Sequence, residues 1–548
     1  MGVFINGGIS RFRQTLGSEI YVDKTDMIDF LNRVLNTEQK CICVSRPRRF
    51  GKSITANMIA AYYEKESDSR SLFEGRKLSK IQNWDRELNK YNVIMIDIAD
   101  ILSSQGSAEK ALDYLEAAII EELKQVFPAL AQSMVGGIPE ALAFINEVTA
   151  EQFIIIIDEW DAFYRDEKFD VLVQKRYINL LRSLFKGNRA KSFIALAYVT
   201  GILPIKKYNS ESALNNFIEY TMLSPSWLAP YIGFTEPEVI DLCSQYDMDY
   251  EKLREWYDGY SFEGTEHIYG PNSVVQAVLR KEYKNYWSQT VAFNSLSTYI
   301  TMNFDGLKEA VVAMLGGNRV PVNVFDFQND MTSFQSKDDV LTVLIHLGYL
   351  AYDQDRQEAY IPNYEVRQIF EGNLKYTGWS SVITAVQNSE RLLKATLNED
   401  EDTVVELIER CHEENTSILE YNDENSLASV ITIAYYTARR EYTFIRECPS
   451  GYGFADIVML PKAGSQKLPI IIELKWNKNT ESAIQQIKEK KYVSVLKGYK
   501  GNVLLVGINY DKKTKKHSCS IERVAIEAAA EGNYDSDDMN LFEKTDNN

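Results

Sequence analysis

The apolar positions of the chain fall into two textures. In residues 1–232, short unbroken apolar runs alternate with longer stretches whose apolar residues recur at three- and four-residue steps. "KCICVS" (40–45), "YNVIMIDIAD" (91–100), "EQFIIIIDEWDAF" (151–163) and "KSFIALAYVTG" (191–201) read as strands. "ITANMIAAYYEK" (54–65) and "AEKALDYLEAAIIEELKQVF" (108–127) carry helical spacing. Strands this apolar, with helices between them, predict an α/β fold whose parallel sheet has helices on both faces.

From about Gly233 the texture turns helical. "TEPEVIDLCSQY" (235–246) opens on Thr235 with Glu238 three residues on, the pattern of a capping box. "EKLREWYDGYSF" (251–262) ends in a glycine- and aromatic-rich turn. Residues 337–374 read helix, turn, strand, polar turn, strand, helix. That order suits a winged helix, whether it binds DNA or serves as an interdomain packing module. A last region begins at Asn422, with a helix "ENSLASVITIAYYTARR", strands "YTFIREC", "GFADIVML" and "LPIIIELKW", a helix "ESAIQQIKEKKYVSVL" and a strand "GNVLLVGINY". The expected domains are 1–232, an α/β domain; 233–375, a helical lid with a winged-helix-like region; 376–421, a helical linker; 422–530, a second α/β domain; and 531–548, an acidic disordered tail. No internal repeat is visible.

Composition narrows the class. A chain of 548 residues, 45% hydrophobic and 25% charged, is ordinary for a globular protein. The net charge of −18, from 60 basic and 78 acidic residues, argues against indiscriminate binding to nucleic acid or anionic membrane, though not against a local basic groove. The six cysteines form no CxxC pair, which argues against a disulfide framework or zinc ribbon and suits a reducing compartment. "MGVFINGGISRFR" has neither a signal-peptide pattern nor a myristoylation site, since Asn6 stands where Ser or Thr is needed. No apolar run approaches the roughly 18 to 20 residues of a membrane helix. The expectation is a soluble cytoplasmic protein that needs no membrane. His267, His346, His412 and His517 lack ligand-like spacing and are expected to be structural.

"SRPRRFGKSIT" (45–55) nearly spells a phosphate-binding loop. Gly51, Lys52 and Ser53 are in register with its Gly-Lys-Ser ending, but Arg46 replaces the first glycine, and Pro47, Arg48, Arg49 and Phe50 follow. Such loops work because backbone N–H groups wrap phosphates at a helix N-terminus, Lys adds charge and Ser binds Mg²⁺. Strand before and helix after are both expected here. Asp158 and Glu159 leave a buried strand where a Walker B pair belongs, Asp158 toward Mg²⁺ and Glu159 as general base for water. Thr200 ends the next strand, a candidate γ-phosphate sensor. The nucleotide-binding set is therefore Arg46 through Ile54 with Asp158 and Thr200; no arginine finger can be assigned.

A second constellation lies near the C-terminus. Alternation on a strand puts Glu473 and Lys475 on one face of "IIIELKW", and a hairpin would bring Asp456 of "GYGFADIVML" beside Glu473. Two carboxylates and a lysine at a sheet edge suit a Mg²⁺ site for phosphodiester hydrolysis. Glu424 offers a third carboxylate, and Gln486 and Tyr492 could brace the site. Lys475, Lys478, Lys488, Lys490, Lys491, Lys497 and Lys500, followed by Lys512, Lys513, Lys515 and Lys516, suggest a phosphate-tracking groove, with Trp476 and Tyr492 available to stack on bases.

On these residues the chain resembles a bacterial family of AAA-ATPase-like proteins with a C-terminal PD-(D/E)XK nuclease-like domain. "YVDKTDMI", "SRPRRFGKS", "IIIIDEWDAF", "ALNNF", "GFTEPEV" and "WYDGYSF" follow the ATPase part in order, and "GYGFADIVML", "IIELKWNKN" and "AIQQIKEKKY" the nuclease part. The resemblance implies that the missing first glycine is a family trait, that Lys52 and Ser53 bind ATP and Mg²⁺, and that Asp158 and Glu159 form Walker B. It further implies a restriction-endonuclease-like core of Asp456, Glu473 and Lys475, with Glu424 fitting the superfamily's helical first acid only loosely. Three functions remain open on sequence: an ATP-dependent Mg²⁺ nuclease acting on DNA, a nucleotide-switched protein whose nuclease-like domain binds DNA or a partner without cutting, and a signalling ATPase that assembles into oligomers.

Overall fold

A computed structural model of the chain describes residues 2–165, 171–205, 207–208, 211–212, 214–262, 264–287, 296, 298–300, 302, 304–327, 334–376, 380–415, 424–450, 453–462, 465, 467–490, 496, 499 and 501–526. They belong to two compact units, 1–315 with 319–377, and 316–318 with 378–548.

In the first unit, β1 (Cys41–Ser45), β2 (Asn92–Asp97), β3 (Phe153–Asp158) and β4 (Ile194–Gly201) join a later strand in one sheet. A small hairpin of β5 (Lys207–Tyr208) and β6 (Glu211–Ser212) precedes that strand, β7 (Ile218–Tyr220). The sheet order is β2-β3-β4-β1-β7, with every pair parallel. The last of the four long strands thus inserts between the phosphate-loop strand and the Walker B strand. Every residue of β3 is buried, as its isoleucine run requires. Alternation divides that run: Ile155 and Ile157 enter a core with the helices Ala108–Val126, Ile138–Thr149 and Val171–Phe185. The helix Lys52–Tyr63 also packs on the sheet. Because the strands are parallel, Ser45, Asp97, Asp158 and Thr200 come to one end, with Asp97 opposite Asp158 and Val44 opposite Thr200.

The rest of this unit begins with β8 (Phe234–Thr235), β9 (Tyr260–Phe262) and β10 (Thr265–Tyr269), which form an antiparallel sheet in the order β8-β10-β9. The helix Glu236–Tyr246 starts in the capping box formed by Thr235 and Glu238. Next come the helix Leu307–Leu315, β11 (Val320–Pro321), the helix Lys337–Leu347, β12 (Ala351–Asp353), β13 (Glu358–Tyr360) and the helix Tyr364–Tyr376. Sheet order β11-β13-β12 between these helices is the winged-helix-like arrangement.

The second unit has β14 (Tyr442–Ser450), β15 (Gly453–Pro461), β16 (Ile470–Trp476), β17 (Gly501–Asp511) and β18 (Lys516–Ile526), in sequential order. Only the β16–β17 pair is parallel. One face carries Ile457, Met459, Ile472 and Leu474 against Leu427 and Ile431 of the helix Glu424–Ala434; the other carries Val458 and Ile471 against Ile484 and Ile487 of the helix Thr480–Glu489. No disulfide links the six cysteines. Among the described residues, no helix is long and apolar enough to cross a membrane.

Candidate functional site

The phosphate loop is shaped by two left-handed residues, Arg49 at φ 68° and Gly51 at φ 92°, the latter capping the helix Lys52–Tyr63. Gly51 turns the chain into the helix, so the N–H groups of its first turn face outward. Lys52 is buried and its ammonium donates to the carbonyls of Arg46 (3.1 Å) and Pro47 (2.9 Å), with Glu159 3.9 Å away. Burial pushes the Lys52 ammonium down, and Glu159 and Asp158 offset part of that. Ser53, Ile54 and Arg48 are exposed beside it.

Asp158, at the end of β3, is 1% exposed and shares a hydrogen bond with the Ser53 side chain. Burial pushes its carboxyl up to about 6, against the lowering effect of Ser53 and Lys52. Glu159 follows in the left-handed region at φ 55°. Burial would raise it, but Arg165 and Lys52 outweigh that and hold its carboxyl below the ordinary range. Arg165 pairs directly with Glu159 and lies 3.7 Å from Asp161. Asp161 in turn accepts the N–H groups of Ile202 (3.1 Å) and Leu203 (2.9 Å) beyond β4. Thr200 is fully buried, and its hydroxyl has no hydrogen-bond partner among the described residues.

A cavity of about 580 Å³ opens over this end of the sheet. Arg48, Arg49, Phe50, Gly51, Lys52, Ser53, Ile54 and Glu159 line one part, and Ile20, Tyr21, Val22, Phe234, Val275 and Leu279 make an apolar part. Polar atoms at a helix N-terminus beside an apolar slot suit a ligand with a phosphate end and a flat apolar end. Arg46, Pro47, Asp158 and Thr200 are not on its wall. The departure from expectation is largest for Arg46. Its guanidinium is fully buried, donates to the carbonyls of Ser45 (2.9 Å) and Tyr220 (3.1 Å) and lies 5.2 Å from the Phe262 ring centre, so it is a brace inside the fold and no cation for phosphate. The same burial pushes it down to about 10.

The rest of the loop is braced by residues far along the chain. Phe50 is 1% exposed and meets the Tyr260 ring edge-on at 5.4 Å. Arg49 donates to the Tyr286 carbonyl at 3.2 Å. Gly348, at φ 83°, lies so close to Pro47 that a Cβ there would come within 2.7 Å of its ring, and Tyr260 donates to the Gly348 carbonyl. Sequence reasoning missed Arg165, Asp161 and the apolar slot. "IIIIDEWDAFYR" holds the first two within a few residues of Walker B, and "YVDKTDMI" holds Tyr21 and Val22, but neither stretch announces its neighbours.

The second constellation assembles in the second unit. The β15–β16 register, Ile457 opposite Ile472, puts Asp456 opposite Glu473, and the Asp456 carboxylate accepts the Leu474 N–H at 2.7 Å. Lys475 donates to Glu473 at 2.8 Å, and Gln486 of the helix Thr480–Glu489 donates to the same carboxylate. Glu473 and Lys475 are 2% and 5% exposed. Trp476 does not join them. Alternation sends it to the opposite face, where it packs 4.9 Å from Tyr510. The helix that begins at Glu424 packs on that opposite face too, and the Glu424 side chain lies outside the described residues, as do Tyr492, Lys491, Lys497 and Lys500. Lys512, Lys513, Lys515 and Lys516 are exposed on the β17–β18 turn, which Asn477 ties to the end of β16 by accepting the Lys512 N–H at 2.8 Å.

Of the four histidines, His346 is buried against the Phe327 ring, His412 and His517 pack on each other, and His267 bonds Asp258 at 2.6 Å. No group of three His, Cys, Asp or Glu poised for a metal occurs among the described residues. A pair of protein ligands suffices for Mg²⁺, which keeps waters and takes substrate phosphate oxygens. Ser53 with Asp158, and Asp456 with Glu473, fit that chemistry.

Known proteins resemble segments of the chain. A curated relative, an uncharacterised protein from the vnfD 5′ region of Azotobacter chroococcum mcd 1, is 24% identical over 255 residues, 45% of this chain and 46% of that protein. The chain thus spans about half the length of the curated relative it matches. The solved ORC2 protein of Aeropyrum pernix, in ADPNP–ADP complexes, aligns over 66% of this chain and 97% of its own at 9% identity and a TM-score of 0.27, too low to bear on the fold. Family models match two segments, 7–209 as a predicted AAA-ATPase and 422–519 as the PD-(D/E)XK nuclease superfamily. The chain thus resembles a predicted AAA-ATPase over residues 7–209 and the PD-(D/E)XK nuclease superfamily over residues 422–519.

Proposed function

We infer that the chain binds and hydrolyses ATP with Mg²⁺, and that nucleotide state governs Mg²⁺-dependent cleavage of DNA at the second constellation. The observation that carries the reading is the meeting of Lys52, Ser53, Asp158 and Glu159 at one helix N-terminus beside a cavity with an apolar slot. The loop amides and Lys52 would hold phosphate oxygens, while Ser53 and Asp158 would hold the metal, with Thr200 beneath as γ-phosphate sensor. Bound Mg²⁺ supplies the divalent charge that such phosphates need. Glu159 would accept the proton of the attacking water. At the second constellation Asp456 and Glu473 would hold metal, and Lys475 would orient water or balance charge.

A second reading is favoured by the burial of Glu473, which Lys475 and Gln486 hold closed: the nuclease-like domain grips DNA or a partner without cutting. One experiment separates the two. Wild type, Lys52→Ala and Glu473→Ala are incubated with linear or circular DNA and Mg²⁺, with and without ATP. The nuclease reading expects cleavage by wild type that ATP alters and Glu473→Ala abolishes. Intact ATP turnover with no cleavage under any condition moves the conclusion to the switched binder.

A further inference from the structure

We propose that Arg165 restrains Glu159, and that hydrolysis requires this pair to part. The inference rests on the nucleotide reading above and adds to it a positioning residue that no sequence motif marks.

The pair is built to hold. Arg165 and Glu159 sit on one tight turn, in which Ala162 N–H bonds the Glu159 carbonyl (2.9 Å) and Tyr164 N–H bonds the Asp161 carbonyl (2.8 Å). The Arg165 side chain is only 11% exposed. Its Nη2 pairs with Glu159 Oε2, and its Nε faces the Asp161 carboxylate, itself pinned by two backbone N–H groups beyond β4. The clamp is therefore mounted on a fixed support. Lys52 stands 3.9 Å from the other Glu159 oxygen.

Each oxygen of the general base thus faces a cation. One oxygen of a carboxylate held this way is committed to a charge-assisted contact with a guanidinium, which must break before that oxygen can turn to a water poised on phosphate. A triphosphate entering the loop brings anionic oxygens that compete for Lys52 and Arg165. The pair so keeps the base engaged until nucleotide or a partner draws the cations off. The alternative role for Arg165, a cation stabilising charge on the transferring phosphate from within the same chain, predicts the opposite change in rate.

The full-length chain and its Arg165→Ala, Arg165→Lys, Glu159→Gln and Arg165→Ala/Glu159→Gln variants are compared by thermal unfolding, with and without a non-hydrolysable ATP analogue and Mg²⁺, and by steady-state ATP turnover. Without nucleotide the two single changes should be non-additive in stability; with the analogue they should become additive. Arg165→Ala should raise kcat several-fold, and Arg165→Lys should restore the wild-type rate. If the alanine variant does not fold, Arg165→Gln replaces it. Analogue binding combined with additivity in its absence, or with a fall or no change in kcat of the folded Arg165 variant, overturns the inference alone. Failure of the wild type to bind the analogue overturns the nucleotide reading and this inference with it.

Discussion

Gly51 shows how narrow a residue-scale requirement can be. A Cβ at this position would meet nothing within 4 Å, so the space for a side chain exists. The backbone at φ 92° is what demands glycine. Gly51→Ala should cost about 1 kcal/mol of stability, the scale of a left-handed non-glycine residue, and weaken nucleotide binding as the helix N–H groups shift; chemical denaturation and an analogue titration measure both. Arg46, five residues earlier, follows another logic. Its position in the motif suggests a phosphate cation, but the carbonyls of Ser45 and Tyr220 claim it. Nothing local distinguishes Arg46 from Arg48; the acceptor that holds Arg46 inside, the Tyr220 carbonyl, lies 174 positions away. Glu365 offers a pH test at this scale. Burial pushes its carboxyl up to about 7, against the lowering effect of a Ser273 hydrogen bond, the N–H groups of Tyr286 and Trp287, and Arg49. Its folded value lies above its unfolded one, so the folded chain holds a proton that the unfolded chain releases. Stability from this group is therefore present near pH 5 and lost as pH rises through about 7. Glu365→Gln should remove on the order of 2 kcal/mol of that pH dependence between about pH 5 and 8, as followed by denaturant unfolding across the range.

Among the elements, the phosphate loop is the one whose surroundings matter most. A loop entered through Arg46-Pro47 and lacking the first glycine has less freedom than the usual cradle, and its shape is held by Tyr260, Tyr286 and the Gly348 turn. Phe50 is the main anchor. Phe50→Ala should cost about 3 to 5 kcal/mol and lower nucleotide affinity, because the loop loses its brace. Tyr260→Phe, which removes only the hydroxyl bond to Gly348, should cost about 1 kcal/mol. Equal melting temperatures for wild type and Phe50→Ala would show that the loop stands by itself. The strands and helices of this region were legible in the chain, since an isoleucine run and a three-to-four spacing are written locally. Strand order was not: the insertion of β4 between β1 and β3 comes from pairings between residues about 40 to 155 positions apart.

Across the whole molecule, charge sets the expectation. A chain at −18 should repel DNA at a distance, so binding must come from a local patch. On the proposed nuclease reading the exposed lysines of the β17–β18 turn, tied to the end of β16 through Asn477, would be that patch. Replacing Lys512, Lys513, Lys515 and Lys516 with Glu should weaken DNA binding and flatten its dependence on salt, measured by anisotropy at several ionic strengths. An unchanged salt slope would place the DNA contact elsewhere. The sequence by itself determined the two sites in outline. A Gly-Lys-Ser after a strand, an Asp-Glu leaving another, and an E-x-K with an Asp on the adjoining strand are short-range patterns, fixed by backbone geometry and side-chain alternation. The tertiary structure alone decided which residues those patterns enlist. It buried Arg46, sent Trp476 and the Glu424 helix to the far face, gave the cavity its slot from Tyr21 and Leu279, and set Arg165 on Glu159. Those outcomes depend on burial and on contacts among segments distant in the chain, and no local spacing encodes them.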